Sequence, residues 1–169
     1  MRITPADLAD PRVIAVFETH LARALEITPR ESAHALDLAG LRSPDLEVWA
    51  AWDGETLMGV GALKSLGPDA GEVKSMHTPA AVRGRGAASA ILGHIIATAQ
   101  ARGYRRLSLE TGSMDYFAPA RALYQRHGFT ACEPFAGYRP DPHSVFMTLE
   151  LGGLSGAVRA GGSSNCSRR

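Results

Sequence analysis

Cysteine is nearly absent: the 169 residues hold two, Cys132 and Cys166, with no CxxC spacing. A disulfide scaffold or a thiolate zinc site is therefore not expected, and Cys132 reads as a small packing residue rather than an activated nucleophile. An excess of either charge is also lacking. Eighteen Lys and Arg face seventeen Asp and Glu, a formal net charge of +1, so nothing in the bulk composition calls for a nucleic acid or other polyanion partner. The chain has no run of roughly 18 apolar residues for a membrane helix. Its opening, MRITPADLAD, has no apolar stretch of the kind a signal peptide needs. A cytoplasmic protein with no membrane partner is the expectation. The six histidines form no HxxxH or HExxH pattern, so metal binding is not expected. No internal repeat is present.

What remains is ordinary for a folded protein, with 45% hydrophobic and 21% charged residues. The length suits one domain able to bury a core without staples. Asp10 as N-cap and Pro11 at the first helical position begin a helix with an apolar rhythm at Val13, Ile14, Phe17, Leu21, Ala24 and Leu25. Thr28-Pro29-Arg30-Glu31 reads as a capping box opening a second, shorter helix that Gly40 would stop. Residues 47–52 and 57–63 flank an Asp53-Gly54 turn, and a further turn at residues 67–71 leads to a strand over 72–78. Together they predict a three-stranded antiparallel meander.

An amphipathic helix follows over 87–101, then Gly103 and a strand over 106–110. Strand, crossover helix and strand make a βαβ unit and so a parallel pair. A helix over about 118–127 ends at Gly128, and 145–151 is the last strand. The fold class is thus α/β in the sense of a mixed α+β sheet, mostly antiparallel with one parallel pair and flanked by helices. Residues 1–151 form the domain. The Gly/Ser-rich segment 152–169 is expected to be a flexible tail.

Chemistry concentrates at Val82-Arg83-Gly84-Arg85-Gly86-Ala87-Ala88, where a strand gives way to the amphipathic helix. Glycines permit a tight turn and close approach of a ligand. The free N–H groups and dipole of the helix start favour an anion, and two arginines add charge. A phosphate or pyrophosphate site fits this pattern, as does a solvated turn. Neither the P-loop spacing nor a dinucleotide fingerprint is met.

The residues Arg83-x-x-Gly86-x-Ala88 resemble the [Q/R]-x-x-G-x-[G/A] motif of the GNAT N-acyltransferase superfamily. Ala120-x-x-Leu123-Tyr124-x-x-x-Gly128-Phe129 is similar to the family's second characteristic helix, and the order of elements agrees over residues 1–151. The resemblance implies acetyl-CoA as acyl donor, no metal, and a small-molecule amine as acceptor in a ternary complex, with the chain a monomer or homodimer. Arg83, Gly84, Arg85, Gly86, Ala87 and Ala88 would hold the coenzyme pyrophosphate. Where many members carry asparagine three residues before Ala120, this chain has Phe117. That departure bears on the usual side-chain contact to the coenzyme.

Acyl transfer to an amine needs a neutral nucleophile, although the free ammonium has a pKa of about 10, and it needs a donor for the oxyanion. It is also helped by a proton for the departing thiolate. The family likeness places that proton on Tyr124, which otherwise packs its helix against the sheet. The oxyanion donor would be a backbone N–H near Met76 or His77, where the family's fourth strand splays from the fifth. For the base, Glu72 and His77 both stand open, beside the reading of Glu72 as an exposed strand-end carboxylate. His34, Asp37, Glu110 and Tyr138 are the candidates for lining the acceptor pocket. A protein N-terminus or lysine as acceptor and a non-catalytic acyl-CoA-binding module are the alternative functions.

Overall fold

The computed structural model describes residues 1–152. Seven strands form one sheet in the order β1-β2-β3-β4-β5-β7-β6. They are β1 (Arg2–Pro5), β2 (Leu46–Asp53), β3 (Thr56–Ser65), β4 (Ala70–His77), β5 (Arg106–Gly112), β6 (Thr130–Ala131) and β7 (Ser144–Glu150). All neighbours run antiparallel except β4 and β5. The helices are α1 (Pro11–Ile27), the single turn α2 (Leu38–Leu41), α3 (Ala87–Ala101) and α4 (Ala118–Arg126).

The alternation of β2 sorts the core. Ala50 packs with Val13 and Phe17 of α1, with Leu41 and with Val60 in one cluster. Trp49 and Ala51 face the other cluster, built on Ile91, Leu92 and Ile95 of α3 and on Leu123 and Tyr124 of α4. Successive side chains on opposite faces are what a period of two requires. Helix α1 starts as its sequence dictates, with the Asp10 carboxylate accepting from the Arg12 N–H at 2.8 Å and Pro11 at the first position.

The second helix expected over 28–40 does not form. Thr28 is already used as the C-cap of α1, its N–H donating to the Ala24 carbonyl at 2.9 Å. Only a 3-10 turn at Arg30–Ser32 and the short α2 appear, joined by extended chain. Gly40 lies inside α2, donating its N–H to Asp37 Oδ1 at 2.8 Å. Two strands were not foreseen, β1 and β6. They have four and two residues and are defined by pairing at the sheet edges rather than by their own pattern.

One irregularity decides where the site lies. β4 and β5 pair only from Ala70–Arg106 to Glu72–Ser108. Past that point β5 stays paired with β7 and β4 bends away. The bend comes from a bulge: Val60 opposes His77 while Ala62 opposes Lys74, one extra residue in β4. Ser75 takes it up with a left-handed φ of 54°.

Candidate active site

The two strands open onto a cavity of about 630 Å³. At one end lies the turn before α3. Gly84 and Gly86 have φ of 77° and 84°, a region only glycine enters freely, and Gly86 caps the helix. The first intrahelical bond is Ala90 N–H to the Gly86 carbonyl, 3.0 Å. The N–H groups of Ala87, Ala88 and Ser89 therefore precede the helical ladder and are available to an anion. Arg83 lines the same space, its Nε donating to the Thr78 carbonyl at 3.3 Å. Arg85 turns the other way and pairs with Asp53 at 2.8 Å. Ser89 Oγ meets His127 Nε2 at 2.8 Å and so ties the start of α3 to the end of α4.

At the end of β4, Ser75, Met76 and His77, with Thr78 just past it, wall the cavity. The hydroxyls of Ser75 and Thr78 are buried without a partner, a state that costs free energy until a ligand supplies one. Across the gap stand Glu110, Thr111 and Gly112 of β5 and Phe117 and Tyr124 of α4 and its approach. Phe117 rests on Gly112 so closely that a Cβ there would lie 2.1 Å from its ring. The Arg121 guanidinium fixes this connection by donating to the carbonyls of Gly112, 2.6 Å, and Met114, 3.0 Å. A hydrophobic wall thus stands where the asparagine of the family resemblance would be.

Tyr124 is 6% exposed. Burial first, and then the nearby Glu110 charge, push its pKa above the usual phenol value, so the hydroxyl is held protonated. Glu110 is itself raised above 4.5. Burial is the main cause and the Glu72 charge adds to it, against Ser144, His34 and Lys74, which lower it. His20 of α1 and His77 of β4 lie 5.2 Å apart between ring centres at the cavity wall. Burial holds both neutral, His20 down to about 4, with the His77 charge adding to the effect on His20 and Arg83 to that on His77.

The remaining expectations divide. His34 does line the cavity and packs edge-on against Tyr138, 4.9 Å between ring centres. Tyr138 and Glu72 stand behind the lining rather than in it. Glu72 is not an exposed strand-end group: it is buried, and its Oε1 accepts from Lys74 Nζ at 3.0 Å and from the Tyr138 hydroxyl at 2.5 Å. Lys74 also donates to the Tyr138 oxygen at 2.9 Å. Asp37 is exposed and caps α2, away from the cavity. Sequence reasoning missed Lys74, Ser32 and His20 as lining residues. His20 had a visible signal, since it continues the Val13–Phe17–Ala24 face at helical spacing. Lys74 and Ser32 had none.

Among the described residues, no group of three His, Cys, Asp or Glu is placed to hold a metal, and no helix is long and apolar enough to cross a membrane.

This geometry agrees with what the chain is similar to. The family model described as Acetyltransferase (GNAT) family matches residues 14–129. The protein named Uncharacterized N-acetyltransferase YsnE of Bacillus subtilis (strain 168) is 50% identical over 151 residues, 89% of this chain and 100% of its own. Uncharacterized N-acetyltransferase YedL of Escherichia coli (strain K12) is 50% identical over 145 residues, 86% of this chain and 91% of its own. In fold, a GNAT family acetyltransferase of Elizabethkingia anophelis with acetyl-CoA bound superposes with a TM-score of 0.63 at 18% identity, covering 89% of this chain and 97% of that one. With the splayed strands, the glycine turn and the buried tyrosine in place, the chain belongs to the GNAT family of acetyltransferases and is an acyltransferase.

Proposed function

We propose that the protein transfers an acetyl group from acetyl-CoA to the amine of a small molecule, by direct attack while both are bound. The observation that carries this reading is the continuity of the cavity. One space runs from the glycine turn, past the backbone of Met76 and His77 and the Tyr124 phenol, to Glu110 and His34. Thr28, Ser32 of the 3-10 turn and residues 33–35 of the extended segment wall its far end. A walled pocket suits a small acceptor better than a polypeptide, which needs an open groove.

The residues fit acetyl-CoA on their own chemistry. The N–H groups of Ala87, Ala88 and Ser89, with Arg83, are complementary to a pyrophosphate. The unpartnered Ser75 and Thr78 hydroxyls and the unpaired edge of β4 offer hydrogen bonds to the amides of a pantetheine arm. Phe117 gives that arm an apolar wall. The bulge turns the β4 backbone toward the gap, so that an N–H at Met76 or His77 can meet the developing oxyanion. Tyr124, protonated and buried, supplies the proton for sulfur.

The first experiment follows thiol release from acetyl-CoA with a panel of small amines. Arg83→Glu and Arg85→Glu are each measured alongside by titration calorimetry. Release that depends on one class of amine, with acetyl-CoA affinity lost in Arg83→Glu and kept in Arg85→Glu, is the expected result. Acetyl-CoA binding with no amine drawing thiol would shift the reading to a protein acceptor or a non-catalytic binder. Tyr124→Phe is expected to lower kcat by about 10²-fold or more, within the range of lost acid catalysis, with acetyl-CoA affinity unchanged. Near-normal turnover would make Tyr124 a packing residue.

A further inference from the structure

Glu110 is the one carboxylate among the described residues that line the cavity. The other titratable groups there are arginines, Lys74, histidines and phenols. It sits on β5 beyond the last β4–β5 pair, where the strands have separated. It is also close enough to Tyr124 for its charge to act on the phenol. An aliphatic amine enters as an ammonium ion and must lose a proton before it can attack. The cavity thus offers one anion to attract that cation and receive its proton.

We propose that Glu110 is the general base of the reaction, and that the buried Glu72 acts through Lys74 as a positioning residue. The proposal rests on the acetyl-transfer reading above. Lys74 reaches the cavity wall and, left alone, would draw Glu110 into an ion pair and spoil it as a base. Glu72 and the Tyr138 hydroxyl hold the ammonium instead. The groups facing Glu110 are Ser144 from β7, His34 from the extended segment, Lys74 and Glu72 from β4, and Tyr124 from α4. Of these, the only lysine or arginine is Lys74, and it is already paired with Glu72.

The ammonium N–H bond breaks and an O–H bond forms on Glu110. The freed lone pair forms the C–N bond to the thioester carbon, and the carbonyl π pair moves to oxygen. When that pair returns, the C–S bond breaks and sulfur takes the Tyr124 proton. The second proton lost by nitrogen restores Tyr124, and the proton on Glu110 leaves to solvent.

The test compares wild type with Glu110→Gln on two nucleophiles. One is the primary alkylamine that the thiol-release panel selects. The other is hydroxylamine, which is neutral near pH 7 and needs no prior deprotonation. Acetyl-CoA affinity serves as the folding control. The expected result is a loss of about 10²- to 10⁴-fold in kcat/KM for the alkylamine and less than about tenfold for hydroxylamine. The acid limb of the wild-type profile, lying above the ordinary carboxylate value, should vanish in this variant. In Glu72→Gln the limb should persist and move to lower pH, because Lys74 then turns to Glu110. Equal losses on both nucleophiles, or an unchanged pH profile in Glu110→Gln, overturn the assignment while leaving the enzyme an acetyltransferase. A limb abolished by Glu72→Gln makes Glu72 the base. If Glu72→Gln does not fold, Glu110→Asp decides, since a shortened base keeps the limb at reduced rate. A wild type that releases thiol to no amine fells the acetyl-transfer reading, and the base assignment with it.

Discussion

His20 sits on the inner face of α1 with its ring 5.2 Å from that of His77, and burial keeps it neutral down to about pH 4. In the unfolded chain the same imidazole takes a proton near 6.5. As pH falls through that window the unfolded state binds the proton first, so stability is lost from about 6.5 down to about 4 and recovered as pH rises. The loss is at most ~3 kcal/mol. Urea unfolding at pH 7 and pH 5 should show it, and His20→Gln should shrink the difference, leaving the part that the buried His77 contributes. An unchanged pH dependence in that variant would mean that His20 titrates freely in the fold. The residue scale also shows what a sequence conceals. Arg83, Gly86 and Tyr124 could be placed at the cavity from the sequence because each stands in a local motif. Glu72 was a candidate base from the sequence, but its pairing with Lys74 and Tyr138 was not legible, since it brings in a residue 64 positions beyond Lys74 along the chain.

Among the elements, α1, α3 and the β2–β3 hairpin could be read from period and caps, because each carries a local signal strong enough to survive folding. The segment after α1 could not. Its capping box was a real pattern, but Thr28 was taken as the end of α1, Ser32 closed a 3-10 turn, and residues 33–35 run extended along the cavity wall. Tertiary contacts decided there against local preference. The turn before α3 is the opposite case, set by backbone alone. No atom lies within 4 Å of where a Cβ on Gly86 would stand, yet its φ is 84°. Gly86→Ala should therefore cost about 1–2 kcal/mol through backbone strain and not through a clash. At roughly 2–4 °C per kcal/mol this is a visible drop in Tm. The re-aimed N–H groups should weaken acetyl-CoA binding as well, by calorimetry. Full retention of affinity would mean that the turn does not hold the coenzyme.

At the scale of the molecule, the seven-stranded sheet is held together across its middle by the three residue pairs from Ala70–Arg106 to Glu72–Ser108, by the crossover through α3 and by the core that α3 and α4 share with both halves. A ligand that binds only the folded state stabilises it by about 2.7 kcal/mol at a hundred times its Kd, so saturating acetyl-CoA should raise Tm by roughly 5–10 °C. Hydrogen exchange will show where that energy goes. Amides of residues 74–77 and 109–112 should slow together on binding. Slowing confined to residues 83–89 would mean that the coenzyme touches one side of the gap only.

The separated strands make the sheet two plates, β1 to β4 on one side and β5 to β7 on the other, riveted at one corner and backed by the core that α3 and α4 share with both. A long guest laid along the open seam and bonded to both edges works as a second fastener. Donor binding would then set the spacing between the Met76 backbone and Glu110 before an amine arrives. The protein would be a calibrated instrument only while its donor is in place.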